Sequence, residues 1–147
     1  MRHNRFRLLA VAATTAAVAL VLSYVRHATA PAGTPPEYSA QDLCGVAYTI
    51  IDEHQLTGDG NDGATIHLGY DRTSKSYCTV TMRDRQTPPT SLTTHLQATG
   101  YPADEKTATA ADYAGPVFTY PRGNCVTWGG TINHTTWRTP TPHCQSP

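Results

Sequence analysis

The sequence predicts an α+β fold: a small antiparallel sheet of two hairpins with one long and one or two short helices packed on it, preceded by an N-terminal transmembrane or signal helix. Three observations carry that prediction. Leu43, Val46, Ala47, Ile50 and Ile51 recur at helical spacing, and Ala64, Ile66, Leu68 and Tyr70 alternate with a period of two. Four cysteines, Cys44, Cys78, Cys125 and Cys144, can staple a domain whose core is small.

The N-terminus sets the compartment. Residues 1–7 form a basic cytoplasmic segment carrying Arg2, Arg5 and Arg7, and residues 8–25 are Leu, Val and Ala broken only by Thr14, Thr15, Ser23 and Tyr24. About 18 residues at ~1.5 Å each span roughly 27 Å, enough to cross a bilayer's hydrocarbon core. Only Arg26 and His27 follow the run, so the charge bias leaves the rest of the chain outside. The run exceeds the ~7 to 15 apolar residues of a cleaved signal, which favours a single-pass anchor in the cell membrane, with the membrane as partner. The alternative is secretion after cleavage near Ala32. Cys44 lies too far from the run, behind the bulky Leu43, to accept a lipid.

Residues 26–38 are a Pro-rich spacer, and residues 39–147 are a disulfide-stapled extracytoplasmic domain. Ser39 and Asp42 resemble a capping box at the head of the long helix, which Thr57 and Gly58 end. Gly58, Gly60, Asn61 and Gly63 surround Asp59 and Asp62, but Gly63, Ala64 and Tyr70 fall where a calcium loop needs an oxygen ligand, glycine and glutamate, so this is a turn. The first hairpin runs from Ala64 to Tyr70 and returns through Tyr77, Cys78, Thr79, Val80, Thr81 and Met82. Arg83, Asp84 and Arg85 read as a solvated strand end. Leu92 and Leu96 mark a short helix, and Pro102, Asp104 and Glu105 open another that runs through Ala111 and Tyr113. The second hairpin pairs residues 117–120 with 125–132, where Gly129 and Gly130 bulge or bend a strand. The tail, with Pro140, Pro142 and Cys144, frays unless it is tied.

Beyond residue 30 the chain carries eleven acidic against seven basic side chains, a net charge of −4 that argues against nucleic acid as the main partner. Scarce lysine beside plentiful Arg, Ala and Thr points to a GC-rich actinomycete genome. In an oxidising compartment four cysteines read as two disulfides. Of three pairings, Cys44 with Cys78 and Cys125 with Cys144 close the local loops, of about 33 and 18 residues, each adding ~3 to 4 kcal/mol. No metal-ligand spacing and no catalytic motif occurs, so no cofactor is expected. His54, His67, His95, His134 and His143 are each more readily structural than functional. Trp128, Trp137, Tyr113 and Tyr120 are the candidate binding surface, able to stack on sugars or anchor a protein.

The basic-apolar N-terminus, the Thr/Pro spacer, Asp42-Leu43-Cys44 and Tyr77-Cys78-Thr79-Val80 resemble the layout of small exported or membrane-anchored actinomycete domains of unassigned function. The resemblance covers residues 1 to 82 and implies a location and a fold class, with no catalytic residues. The leading expectation is a non-enzymatic binding domain tethered to the cell envelope, with an envelope protein or glycan as partner. The alternative is a small secreted hydrolase or protease inhibitor. They are separated by whether His67, His95 or His134 meets a carboxylate in a pocket, a geometry that binding does not need.

Overall fold

The structure, a computed structural model, describes residues 37–58, 62–86, 88–110, 112–120 and 125–145. Among them the chain forms one helix, α1 (Ala40–Cys44), and eight strands: β1 (Thr49–Thr57), β2 (Gly63–Asp71), β3 (Ser76–Arg83), β4 (Thr90–Ala98), β5 (Asp104–Ala110), β6 (Tyr113–Thr119), β7 (Val126–Ile132) and β8 (Thr135–Arg138). Two antiparallel four-stranded sheets result, sheet A in the order β1-β2-β3-β6 and sheet B in the order β5-β4-β7-β8. The domain is all-β, and the expected α+β fold is corrected.

The long helix fails for a local reason. The Ser39 hydroxyl caps α1 by accepting from the Asp42 amide at 3.1 Å, and the Asp42 carboxylate returns the bond to the Ser39 amide at 2.9 Å. After one turn Gly45, at φ +105°, takes a backbone conformation that only glycine adopts freely and ends the helix. Thr49, Ile50 and Ile51 are β-branched and continue as strand. A bulge between Ile50 and Asp52 then puts Ile50 and Glu53 on the same face, a spacing of three that mimics helical periodicity.

β4 holds Leu92, Thr94, Leu96 and Ala98 inward, all fully or almost fully buried, and turns Ser91, Thr93, His95 and Gln97 outward. Leu92 and Leu96 stand four apart, a separation that a helix and a strand both place on one face. The strand wins because Thr94 can be buried. Its Oγ1 accepts from the Thr81 amide at 2.9 Å and lies 2.8 Å from the Ala114 carbonyl, joining the two sheets through the core. The segment expected as the next helix is the edge strand β5.

The second expected hairpin does not exist. β6 pairs with β3 in sheet A, whereas β7 lies between β4 and β8 in sheet B, so the chain crosses between layers where a hairpin turn was expected. The true hairpin partner of β7 is β8, turned through Asn133 at φ +51°. Gly129 and Gly130 form no bulge. A Cβ on Gly129 would lie 2.3 Å from the Trp137 carbonyl oxygen, and one on Gly130 2.3 Å from Thr81 Oγ1, so both glycines allow close approach.

Between the sheets lies one apolar core, built from Leu56, Ile66, Leu68, Tyr77, Leu92, Leu96, Val117, Val126, Trp128 and Ile132. β3 is buried on both faces, because Tyr77, Thr79 and Thr81 face sheet B while Cys78, Val80 and Met82 face α1. Cys44 is bonded to Cys78, which pins α1 on that outer face, and Cys125 is bonded to Cys144. The tail is held beside β7 by paired backbone bonds between Val126 and His143, at 2.8 and 2.7 Å. Arg83, read as solvated, is buried instead, bonded to the Asp62 carboxylate and to the Pro88 carbonyl.

Candidate functional site

α1 covers only part of sheet A. Between its N-terminal end and the outer face of β1 and β2 runs an open groove of about 420 Å³, with Ile50 and Met82 as an apolar floor, Tyr38 to Gln41 as a wall, and Glu53, Thr65, His67 and Asp84 as its polar groups. The sheet register supplies these groups. Glu53 stands directly opposite His67, and their side chains meet at 3.0 Å between Oε1 and Nδ1. One pair further along, Thr65 Oγ1 donates to Asp84 Oδ1 at 2.8 Å and Gln55 Nε2 donates to Asp84 Oδ2 at 3.3 Å.

A carboxylate accepts, so the His67 ring carries its proton on Nδ1 when neutral and leaves Nε2 as a lone-pair acceptor. Among the described residues no protein atom bonds that Nε2. With the His67 side chain 17% exposed and that of Glu53 57% exposed, both reach solvent. The arrangement can take a proton from water, with Glu53 fixing the tautomer and stabilising the imidazolium that forms.

A second histidine–carboxylate cluster lies on the outer face of sheet B. Glu105, His95, Gly129 and Arg138 are successive partners across β5, β4, β7 and β8. Because Gly129 has no side chain, Arg138 reaches over it and donates to Glu105 at 2.6 Å, while His95 Nδ1 lies 2.9 Å from the same oxygen. The Arg138 guanidinium also approaches His95 Nε2, at 3.4 Å. Both ring nitrogens are therefore occupied, which makes this cluster a closed polar network and leaves the groove as the chemical site.

Burial pushes the His95 pKa below its ordinary 6.5, against the opposing pull of the Glu105 hydrogen bond. The His95 hydrogen bond in turn holds Glu105 below its ordinary 4.5. Both groups bind fewer protons folded than unfolded as the medium becomes acid, so stability is full above pH 6.5 and falls as pH drops, first through His95 and then through Glu105. Thermal unfolding followed by circular dichroism should show a falling midpoint from pH 7.5 to 4, and His95→Gln should flatten the upper part of that fall. A midpoint indifferent to pH in the wild type would contradict the assignment.

The four aromatic residues of the expected surface are scattered. Trp128 is fully buried in the core, and Trp137 packs edge-on against it at 5.0 Å while stacking on His54 at 3.8 Å. Tyr113 is half-buried on the outer side of sheet A against Tyr38, and Tyr120 projects into solvent beyond the end of β6. His134 sits in the β7–β8 turn, and His143 lies 3.5 Å from Asp52. Among the described residues no cluster of three or more histidines, cysteines or carboxylates could hold a metal. The sequence names His67 as a candidate but hides Glu53, which it places in a helix; an alternating reading after the bulge, from Asp52 to Leu56, puts Glu53 on the groove face.

Fold and site together define a small, disulfide-bonded, all-β domain with a polar groove under its one described helix. The chain is 30% identical over 131 residues to spore-associated protein A of Streptomyces coelicolor, covering 85% of this chain and 81% of that protein. It belongs to that protein's family and is thereby linked to the actinomycetes. No family model and no solved structure matches it.

The expected single-pass anchor, and with it the membrane as partner and as location, is corrected. Among the described residues no helix is long and apolar enough to cross a membrane, α1 having five residues. Residues 8–25, on which that expectation was placed, lie outside the described residues.

Proposed function

We propose that the chain is a small secreted hydrolase that works at an actinomycete cell or spore surface, with the groove as its active site. The observation that carries this reading is His67 in an open groove, oriented by Glu53 and with Nε2 bonded to no partner among the described residues. This convergence of histidine and carboxylate, which a pure binder does not need, supports the hydrolase reading. His67 is the general base toward water, and Glu53 is the residue that orients it. The disulfides suit an oxidising exterior, and the relative's name supplies the surface setting.

The test is hydrolysis of p-nitrophenyl acetate and of small peptide and glycoside substrates by the purified protein. Turnover above background should fall at least a hundredfold in His67→Ala and about tenfold in Glu53→Gln, within the range removal of a general base produces. Background rates on every substrate, or rates that His67→Ala leaves unchanged, would refute it.

A second reading is favoured by one observation: among the described residues no serine, threonine or cysteine side chain is bonded to His67 as a nucleophile would be. On that reading the same groove holds a surface ligand without cleaving it. Amide chemical-shift changes around His67, Thr65 and Asp84 on adding a spore-wall extract, with no turnover, would select binding.

A further inference from the structure

Among the described residues α1 packs on sheet A, and on the outer face of sheet B Thr107 and Thr136 are exposed while Thr93 and Thr131 are half-buried. The outward positions of this face form rows across the strands. One row is Thr107, Thr93, Thr131 and Thr136, successive partners from β5 through β4 and β7 to β8. Their hydroxyls pair along the row, Thr93 with Thr107 at 3.0 Å and Thr131 with Thr136 at 2.9 Å. Ser91 with Thr109 flanks it on one side, and the network of Glu105, His95 and Arg138 on the other.

We propose that this face binds an extended, uncharged glycan chain lying across the strands along the threonine row. Neighbouring strands are ~4.8 Å apart and the hydroxyls meet in pairs, so the row presents one hydroxyl pair at β5–β4 and another at β7–β8, about 10 Å apart, close to the length of two pyranose units in a linear polymer. The row thus offers one hydroxyl pair to every second sugar of an extended chain. The side chains on this row are of one size, so the surface is level. Paired β-branched hydroxyls are also pre-ordered, losing little rotamer freedom on binding.

Charge decides against other occupants. Glu105 is neutralised in place by Arg138, so the face has no net field to attract a polyanion or a polycation. No large apolar side chain stands at the outward positions of β5, β4, β7 and β8, which removes the anchors that a protein partner needs. Arg138 and Glu105, both about half exposed, keep polar atoms available beside the row for hydroxyl or acetamido groups. The proposal uses none of the groove residues and stands whether or not the groove is catalytic.

The test is co-sedimentation of the full chain with insoluble chitin and with cellulose. The wild type should be retained on at least one of them and released by soluble oligosaccharides of the same sugar. Thr93→Val with Thr131→Val keeps the side-chain shape and removes two hydroxyls; retention should fall about tenfold while the unfolding midpoint stays within a few degrees. Val46→Ala, at an exposed position just after α1, serves as the control and should bind as the wild type does. Should the double variant unfold, Arg138→Gln and Thr136→Val on the exposed strand β8 supply the same comparison. Failure to sediment with either polymer, or retention that none of these hydroxyl or Arg138 changes weakens, overturns the proposal.

Discussion

Replacing Cys44 and Cys78 by alanine should cost about 4 kcal/mol of stability, the chain-entropy contribution of a loop closed over 34 residues. The loss should also be functional. A helix of five residues has no stability of its own, since nucleating a single turn is unfavourable, so α1 stays on sheet A because Cys44 holds it there. Without that bond Val80 and Met82 lose their cover, and the wall of the groove formed by Tyr38 to Gln41 leaves with the helix. Urea unfolding should therefore show a lower midpoint, and hydrolysis or ligand binding at His67 should fall in parallel. The comparison is Cys125→Ala with Cys144→Ala, which opens a loop of 19 residues, should cost about 3 kcal/mol, and frees only the tail. Equal functional losses in the two pairs, or a Cys44 and Cys78 variant as stable as the wild type, would contradict this division of labour.

Trp128→Ala should cost about 3 to 5 kcal/mol, the range for removing a large aromatic from a packed core. Trp128 is the largest fully buried side chain and sits where the two sheets meet. Its ring supports Trp137, which in turn stacks on His54 and so links β8 at the edge of sheet B to β1 at the edge of sheet A. Removing it should unfasten that side of the sandwich as well as open a cavity. Chemical denaturation gives the free energy, and fluorescence of the remaining Trp137 should shift to the red as it becomes hydrated. A loss below about 1 kcal/mol would mean that the core collapses around the gap.

Part of this architecture was legible in the residues alone. The β2–β3 hairpin was readable because alternation runs along each arm, Ala64 to Tyr70 and Tyr77 to Met82, and the Ser39–Asp42 cap because it is a contact between near neighbours. Other elements misled for specific reasons. The bulge at Ile50 and Asp52 disguised β1 as helix, and a buried but satisfied Thr94 disguised β4. Val117 and Cys125 flank a turn-like segment, yet their strands belong to different sheets, a choice made by which partners bury them. The site suffered most. Glu53 meets His67, and Glu105 meets both His95 and Arg138, only through register, and register depends on pairings that local pattern does not encode. The expected aromatic surface gave way because Trp128 gains more from full burial between two sheets than from exposure on one.

By itself, then, the sequence determined what depends on composition and near neighbours: an oxidised, cysteine-stapled domain of actinomycete character, its helix cap and its β2–β3 hairpin. The tertiary structure alone decided the all-β class, the crossing from β6 to β7, the burial of Arg83 and Trp128, and the meeting of His67 with Glu53. The physical reason is common to all four. Each is settled by which surfaces exclude water together, a free energy carried by pairs of segments far apart in the chain and by no segment on its own.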